Sequence, residues 1–103
     1  MTLTSKQRAD LRADAHRLTA LVHVGHQGVT DTLSAALDDA LRTRELVKVQ
    51  IARTVEDSVK DVAHEMARRT GAEVVQTIGR TATLYRYNPE LSRRPGDLPA
   101  WKQ

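Results

Sequence analysis

The stretch VHVGHQGVTDTLSAALDDAL, residues 22–41, combines three patterns that together indicate how the chain folds. It opens on a short β-branched segment, which is typical of a strand. Gly25 and Gly28 then interrupt the segment, and glycine lets a backbone turn tightly. The remaining residues repeat apolar side chains at helical spacing, with Thr30 or Asp31 as the expected cap. The stretch therefore predicts a strand, a glycine turn and an amphipathic helix in succession.

Similar patterns extend to both sides of this stretch. Thr4-Ser5-Lys6-Gln7 has the form of a capping box and predicts a first helix that begins at Thr4. The alternating residues 46–51 predict a half-buried strand. Apolar residues at helical spacing from 55 to 67 predict a third helix, with Thr54 as its cap and Gly71 at its end.

The C-terminal part predicts a hairpin followed by a tail. Residues 73–78, the turn Gly79-Arg80 and residues 81–87 indicate two strands joined tightly. The expected order is α-β-α-β-α-β-β, an α+β domain in which one helical layer covers a four-stranded sheet. The remaining residues hold all three prolines and no apolar period. We therefore expect a domain over 1–87 and a flexible C-terminal tail over 88–103.

Composition narrows the classes of function. The chain has 103 residues, of which 40% are hydrophobic and 28% charged, as in soluble globular domains. It has no cysteine, which excludes a disulfide scaffold, a thiolate metal site and a cysteine nucleophile, and which suits a reducing cytoplasm. No apolar run approaches the length of a membrane span, and the first residues lack the apolar segment of a signal peptide. We expect a cytoplasmic protein with no membrane partner.

Residues that could support catalysis or bind a metal are scattered along the chain. The histidines fall on different predicted elements without the paired spacing of a metal site; they are His16, His23, His26 and His64. Ser5, Ser34 and Ser58 fall in predicted helices without a nucleophile motif, and the acidic residues of the second and third predicted helices are spaced along their polar faces. The sequence therefore predicts no metal, no cofactor and no enzymatic activity.

The glycine turn is the most informative candidate site. Gly25-His26-Gln27-Gly28 lies between a strand and the start of a helix, where free amides and the positive end of the helix dipole favour an anion. The GxxG loop of KH domains uses the same arrangement to clamp a nucleic-acid backbone. Two glycines at this spacing also form turns that bind nothing. The pattern alone leaves a phosphate site and a purely structural turn equally open.

Basic residues near the turn are the candidates for contacts with phosphates. They are Arg44, Lys48, Arg80 and Arg86. Tyr85 is next to Arg86, and a tyrosine beside arginines can stack on a base, but packing of Tyr85 within the sheet is the favoured interpretation. The formal net charge of +3 at pH 7 makes a polyanion such as RNA or DNA the first partner to test.

Several segments follow a known pattern in order along the chain. They are the helix from Leu3 to Leu18, the glycine turn from Val22 to Thr30, the strand motif Arg44-Glu45-Leu46-Val47-Lys48-Val49, and the segments Thr70-Gly71-Ala72, Gln76 to Thr81 and Leu84-Tyr85-Arg86. Together they resemble the CRM domain (chloroplast RNA splicing and ribosome maturation) in its stand-alone bacterial form, the YhbY family. The resemblance covers residue 3 to about residue 87 of the chain.

The resemblance implies a fold like the C-terminal domain of translation initiation factor three: a four-stranded mixed sheet backed by helices, with a KH-like GxxG loop. It also implies RNA binding through Gly25, His26, Gln27, Gly28 and the nearby basic residues. The expected partner is ribosomal RNA in precursors of the large subunit, bound by a monomer. One departure concerns the site, because His26 stands where the family often has a lysine, and a neutral imidazole adds little charge.

Two functions from different classes stay open. The first is a non-catalytic RNA-binding module in ribosome assembly, which the glycine turn together with Lys48, Arg80 and Arg86 favours. The alternative is a protein-interaction adaptor whose glycine turn is purely structural, which the balanced charge of the second and third helices favours. RNA binding should weaken steeply as salt rises, because counterions are released, whereas apolar docking should not.

Overall fold

The computed structural model of the protein describes residues 3–90. The elements are α1 (Ser5–Ala15), β1 (Val22–Val24), α2 (Asp31–Arg44), β2 (Leu46–Ile51), α3 (Val59–Thr70), β3 (Glu73–Ile78) and β4 (Thr81–Tyr85). Their order confirms the predicted α+β architecture. The greater part of the predicted tail, from residue 91 onward, lies outside the described residues.

The strands form one mixed sheet in the order β1-β2-β4-β3. β1 pairs in parallel with β2, with Val24 opposite Ile51, and the other two pairs are antiparallel. At one end of the sheet, Val24 and Ile51 lie at the carboxyl ends of their strands beside Thr81, where β4 begins. We call this the turn end, because the glycine turn follows Val24. At the opposite end, Leu46 faces Tyr85.

The main core lies between the sheet and helices α2 and α3. Val47, Val49 and Ile51 alternate along β2 and are fully buried, which confirms the predicted strand face. They belong to one apolar cluster with Leu37 of α2 and Met66 of α3. Burying an aliphatic side chain of this size stabilises a fold by about 1.5–3 kcal/mol relative to leaving it exposed. Helices α2 and α3 are thereby held on one face of the sheet.

Helix α1 packs on the other face of the sheet. Leu11 is fully buried in a second cluster with Leu46, Val75 and Tyr85. Because neighbouring residues of a strand point to opposite faces, Leu46 faces α1 while Val47 faces the main core. The expectation of one helical layer was therefore wrong: the apolar stripe of α1 indicates that the helix is buried, but not which face of the sheet it covers.

The helix ends follow the predicted capping residues with one exception. Thr4 and Gln7 form the predicted capping box of α1, and Thr30 caps α2. Gly71 ends α3 in the left-handed conformation, with φ 72°. The exception is the start of α3.

Ser58, and not Thr54, is the N-cap of α3. Its hydroxyl accepts a hydrogen bond of 3.1 Å from the N–H of Asp61. Thr54 lies in the turn after β2, where the N–H of Val55 donates to the carbonyl of Ala52 at 3.1 Å. The side chain of Val55 enters the main core from this turn, so it matches the helical spacing without belonging to the helix. The prediction of Thr54 was wrong because both hydroxyl residues precede an acidic residue by three positions.

Two substitutions test the start of α3. Ser58→Ala should lower the free energy of unfolding by about 0.5–2 kcal/mol, because the amide of Asp61 loses its partner. Thr54→Ala is the matched control and should change it by less than about 0.5 kcal/mol, since Thr54 is exposed. Urea denaturation followed by circular dichroism measures both. A larger loss of stability for Thr54→Ala than for Ser58→Ala would mean that Thr54, as predicted from the sequence, caps α3.

The residues just after β4 are bound to the end of α2. The strand ends at Tyr85, earlier than predicted, because Glu45 before the partner strand has φ 66° and leaves the extended conformation. The buried carboxylate of Glu45 accepts a hydrogen bond of 2.7 Å from the N–H of Asn88. The Asn88 side chain donates to the carbonyl of Arg42, also at 2.7 Å. Asn88, the first residue of the predicted tail, is therefore held by the folded domain.

Candidate functional site

The glycine turn joins the turn end of the sheet to helix α2. The N–H of Gly28 donates to the carbonyl of Gly25 at 2.9 Å, which closes a four-residue turn. His26 and Gln27 occupy its two central positions and are exposed. Gly28 has φ 75°, a conformation that glycine adopts without strain. The hydroxyl of Thr30 then accepts from the N–H of Leu33 at 3.1 Å and begins the helix.

One side of the turn opens onto a groove, which we call the turn groove. It has a volume of about 570 Å³ and lies between the turn, strand β1 and the first turns of α2. Leu21 and His23 line it from the strand side, and Thr32 and Ala36 line it from the helix. Within residues 3–90, β1 pairs only with β2 and forms an edge of the sheet. The turn groove is therefore bounded by the glycine backbone, by small side chains of α2 and by the larger side chains of Leu21 and His23.

The other side of the turn faces carboxylates. Gly28 and its neighbours share a smaller cleft of about 430 Å³ with Asp57, Asp61 and Glu65. An anion approaching from this side meets like charges, whereas none of the described residues that line the turn groove is acidic. The charge distribution therefore favours an anion that reaches the turn from the side of β1.

Two arginines lie at the turn end of the sheet. Arg80 is half-buried, and its guanidinium donates to the carbonyls of Ile51, at 3.2 Å, and Ala52. Arg53 follows directly in the turn after β2 and is exposed. The N–H of Ala52 donates to the carbonyl of Val24 at 2.9 Å, which brings Arg53 next to the strand that carries the glycine turn. Sequence reasoning missed Arg53, although its position directly after a predicted strand was a usable signal.

The other predicted basic residues lie elsewhere. Arg86 follows β4 at the opposite end of the sheet, where its guanidinium donates to the carboxylate of Asp38 and, at 2.8 Å, to the carbonyl of Thr70. The length of β2 separates the two ends by roughly 17 Å. Arg44 ends α2, and Lys48 lies half-buried on the face of β2 that α1 covers. The structure thus places Arg80 at the same end of the sheet as the turn and leaves Arg44, Lys48 and Arg86 apart from it.

Tyr85 is buried within the sheet. Only 3% of its surface is exposed, and it belongs to the cluster that holds α1. This confirms that Tyr85 packs in the sheet, where its ring has no open face for a base. Tyr87 is 44% exposed.

Residues 3–90 contain no group of three or more histidine, cysteine, aspartate or glutamate side chains that could hold a metal ion. In the same residues, no helix has the length and apolar character required to cross a membrane.

Comparison with known proteins matches this arrangement to one family. The model of the CRS1 / YhbY (CRM) domain matches residues 3–86. The "Probable RNA-binding protein YqeI" of Bacillus subtilis (strain 168) is 40% identical over 88 residues, which cover 85% of this chain and 92% of YqeI. An "RNA-binding protein" of Haemophilus influenzae is 36% identical over 89 residues, covering 86% of this chain and 90% of that protein.

A solved structure has the same fold. The solution structure of the protein SAV1595 from Staphylococcus aureus superposes with a TM-score of 0.75 at 34% sequence identity. The match covers 86% of this chain and 93% of SAV1595. The four-stranded mixed sheet with its three helices is therefore shared with a solved structure, while the likeness to translation initiation factor three and to KH domains stays a prediction.

Proposed function

Because the chain belongs to the CRS1 / YhbY (CRM) domain family, we propose that it is a non-catalytic RNA-binding protein. Curated relatives that align along most of their length are named as RNA-binding proteins. The observation that carries the proposal is the accessible backbone of the glycine turn. A side-chain carbon built on Gly25 would meet no atom within 4 Å, so a phosphate can approach this backbone closely.

The start of α2 adds attraction for a phosphate at the same place. The first amides of a helix have no partner within the helix, and the helix dipole makes this end positive. Thr30 accepts from the amide of Leu33, which leaves other amides of the first turn for a ligand. We propose that an RNA phosphate binds at the turn, with His26 and Gln27 beside it.

Nearby carboxylates set the side from which RNA approaches. Asp31 is fully exposed in the first turn of α2, and Arg69 lies 3.3 Å from it and 2.9 Å from Glu65. Hydrogen bonds from Arg69 and Arg68 lower the pKa of Glu65, so this carboxylate is ionised at neutral pH. We propose that the RNA backbone avoids this side and follows the turn groove along β1.

The proposed RNA is ribosomal RNA in precursors of the large subunit, bound by a monomer in the cytoplasm. Sedimentation of a cell extract through a sucrose gradient tests this, with the protein detected across the fractions. We expect it to travel with large-subunit precursors at low salt and to leave them as salt rises, because counterion release weakens RNA binding. Migration with a protein complex that withstands high salt would favour the adaptor function instead.

His26→Lys tests whether the turn contacts a phosphate. The substitution adds a charge at an exposed position and keeps both glycines. It should tighten RNA binding at low salt and steepen the plot of log K against log salt by about 0.7, the contribution of one phosphate contact to a single strand. Fluorescence anisotropy with a labelled single-stranded RNA measures both effects.

His64→Lys is the matched control for this measurement. His64 is exposed on α3 and lines neither the turn groove nor the acidic cleft. The same change in charge at that position should leave the salt dependence unchanged. Equal slopes for the two variants would mean that the added charge acts from a distance and that His26 does not contact RNA.

A further inference from the structure

A second groove, away from the glycine turn, brings three basic side chains together. It lies between the end of α1, the start of β1 and strand β2, has a volume of about 600 Å³, and is lined by Arg17, Arg44 and Lys48. We call it the α1 groove. Within residues 3–90, none of these three side chains forms a salt bridge, and Asp14 is the acidic residue that lines the groove.

Several other arginines differ from these three because they form ion pairs within the chain. Arg42, two positions before Arg44, is paired with Asp39, and Arg86 is paired with Asp38. On α1 itself, Arg8 lies 3.2 Å from Glu73. Arg8, Arg42 and Arg86 are thus paired within the chain, whereas the three basic residues of the α1 groove form no salt bridge with any residue from 3 to 90.

Apolar side chains form the floor beneath these charges. Leu46 is 5% exposed, Leu18 packs against the cluster that holds α1, and Leu21 is 48% exposed. All three line the groove. An apolar floor with a few charged groups around it is typical of sites for small organic ligands, and the volume lies within their usual range of about 300–1,000 Å³. A nucleotide has the matching chemistry, with an apolar base face and a negative phosphate.

The α1 groove adjoins the turn groove beside the edge strand β1. Leu21 lines both, and β1 connects this leucine to Gly25 over about 13 Å. A single strand of RNA that lies along β1 can therefore enter both grooves. Because the two grooves adjoin and the α1 groove is lined by three basic residues, we identify RNA as the molecule that occupies the α1 groove.

We propose that the α1 groove is a second contact site for the same single-stranded RNA, and this inference rests on the proposed function. The base of an unpaired nucleotide lies on Leu18, Leu21 and Leu46. Arg17 and Arg44 bind the adjoining phosphates, and Lys48 contributes charge from β2. The protein then holds an RNA segment at two separated points, which selects for unpaired RNA, because a paired base cannot lie on the floor of the groove.

Charge reversal tests the second contact. The double variant Arg17→Glu, Arg44→Glu should weaken binding of a mixed-sequence single-stranded RNA of about a dozen nucleotides by roughly tenfold or more, since two charged contacts become repulsive. The matched control is Lys6→Glu, Arg12→Glu, which makes the same change in net charge at exposed positions of α1 outside the groove. It should weaken binding by less than about threefold, because exposed charges at a distance are screened.

Amide chemical shifts of the parent protein separate this inference from the proposed function. Titration with the same RNA should shift the amides of Leu18, Leu21 and Lys48 as well as those of Gly25 and Gly28. If only the amides of the glycine turn shift, and the Arg17→Glu, Arg44→Glu variant binds RNA as well as the parent, the α1 groove does not contact RNA. The proposed function would still stand. The absence of shifts at both places would overturn the proposed function, and the inference with it.

Discussion

Gly25→Asp is expected to weaken RNA binding by about 1–3 kcal/mol while the protein keeps its fold. The carboxylate would stand where we propose that a phosphate binds, so repulsion and lost amide contacts act together. Each 1.4 kcal/mol corresponds to a tenfold change in the dissociation constant, well within the range of an anisotropy titration. Thermal melting of the variant establishes that it is folded.

Gly25 suits this test better than Gly28. Gly28 has φ 75°, so any side chain there strains the backbone and lowers stability for reasons unrelated to RNA. Gly25 does not have a positive φ, and a side-chain carbon built on it would meet no atom within 4 Å. A loss of affinity in Gly25→Asp can therefore be attributed to the RNA contact.

Gly25→Ala is the companion that separates charge from space. It adds a methyl group without a charge, in a position that is empty in the free protein. If RNA approaches the backbone as closely as we propose, alanine also lowers affinity, by less than aspartate does. A folded Gly25→Asp variant with the affinity of the parent would mean that the turn only connects β1 to α2, and the adaptor function would become the leading hypothesis.

The sequence was sufficient for those features that depend on neighbours along the chain. Helical spacing, alternation, β-branched residues and the hairpin turn located the helices and strands of residues 3–90, and Thr4, Thr30 and Gly71 marked three helix ends, because each cap acts within a few residues. The start of α3 shows the limit of such patterns. Thr54 and Ser58 offer the same local signal, and the burial of Val55 from a turn decides between them.

The positions of the charges could not be predicted, because they depend on contacts between distant parts of the chain. Arg86 and Asp38 are 48 positions apart and form an ion pair. Arg80 is held by carbonyls at the end of β2. From the sequence, Arg80 and Arg86 were equal candidates for a contact with RNA. Arg17 had no feature that distinguished it from the other arginines until the packing of α1 brought it beside Arg44.

Leu11→Ala should have the largest effect on stability, a loss of about 2–5 kcal/mol in the free energy of unfolding. Leu11 is fully buried in the cluster between α1 and the sheet, so its truncation leaves a cavity beneath the helix. Stabilities of natural domains are about 5–15 kcal/mol, and this variant therefore loses a large fraction of its stability. Urea denaturation followed by circular dichroism measures the loss.

Leu21→Ala is the matched control, because it makes the same chemical change at a leucine that is 48% exposed. It should alter the free energy of unfolding by less than about 0.5 kcal/mol, and it should weaken RNA binding, since Leu21 lines both grooves. The two leucines thus have opposite expected roles: Leu11 stabilises the position of α1, and Leu21 contacts the ligand. Equal losses of stability in the two variants would contradict the packing of α1 on the sheet. They would also contradict the position of Arg17 in the α1 groove, because that position depends on this packing.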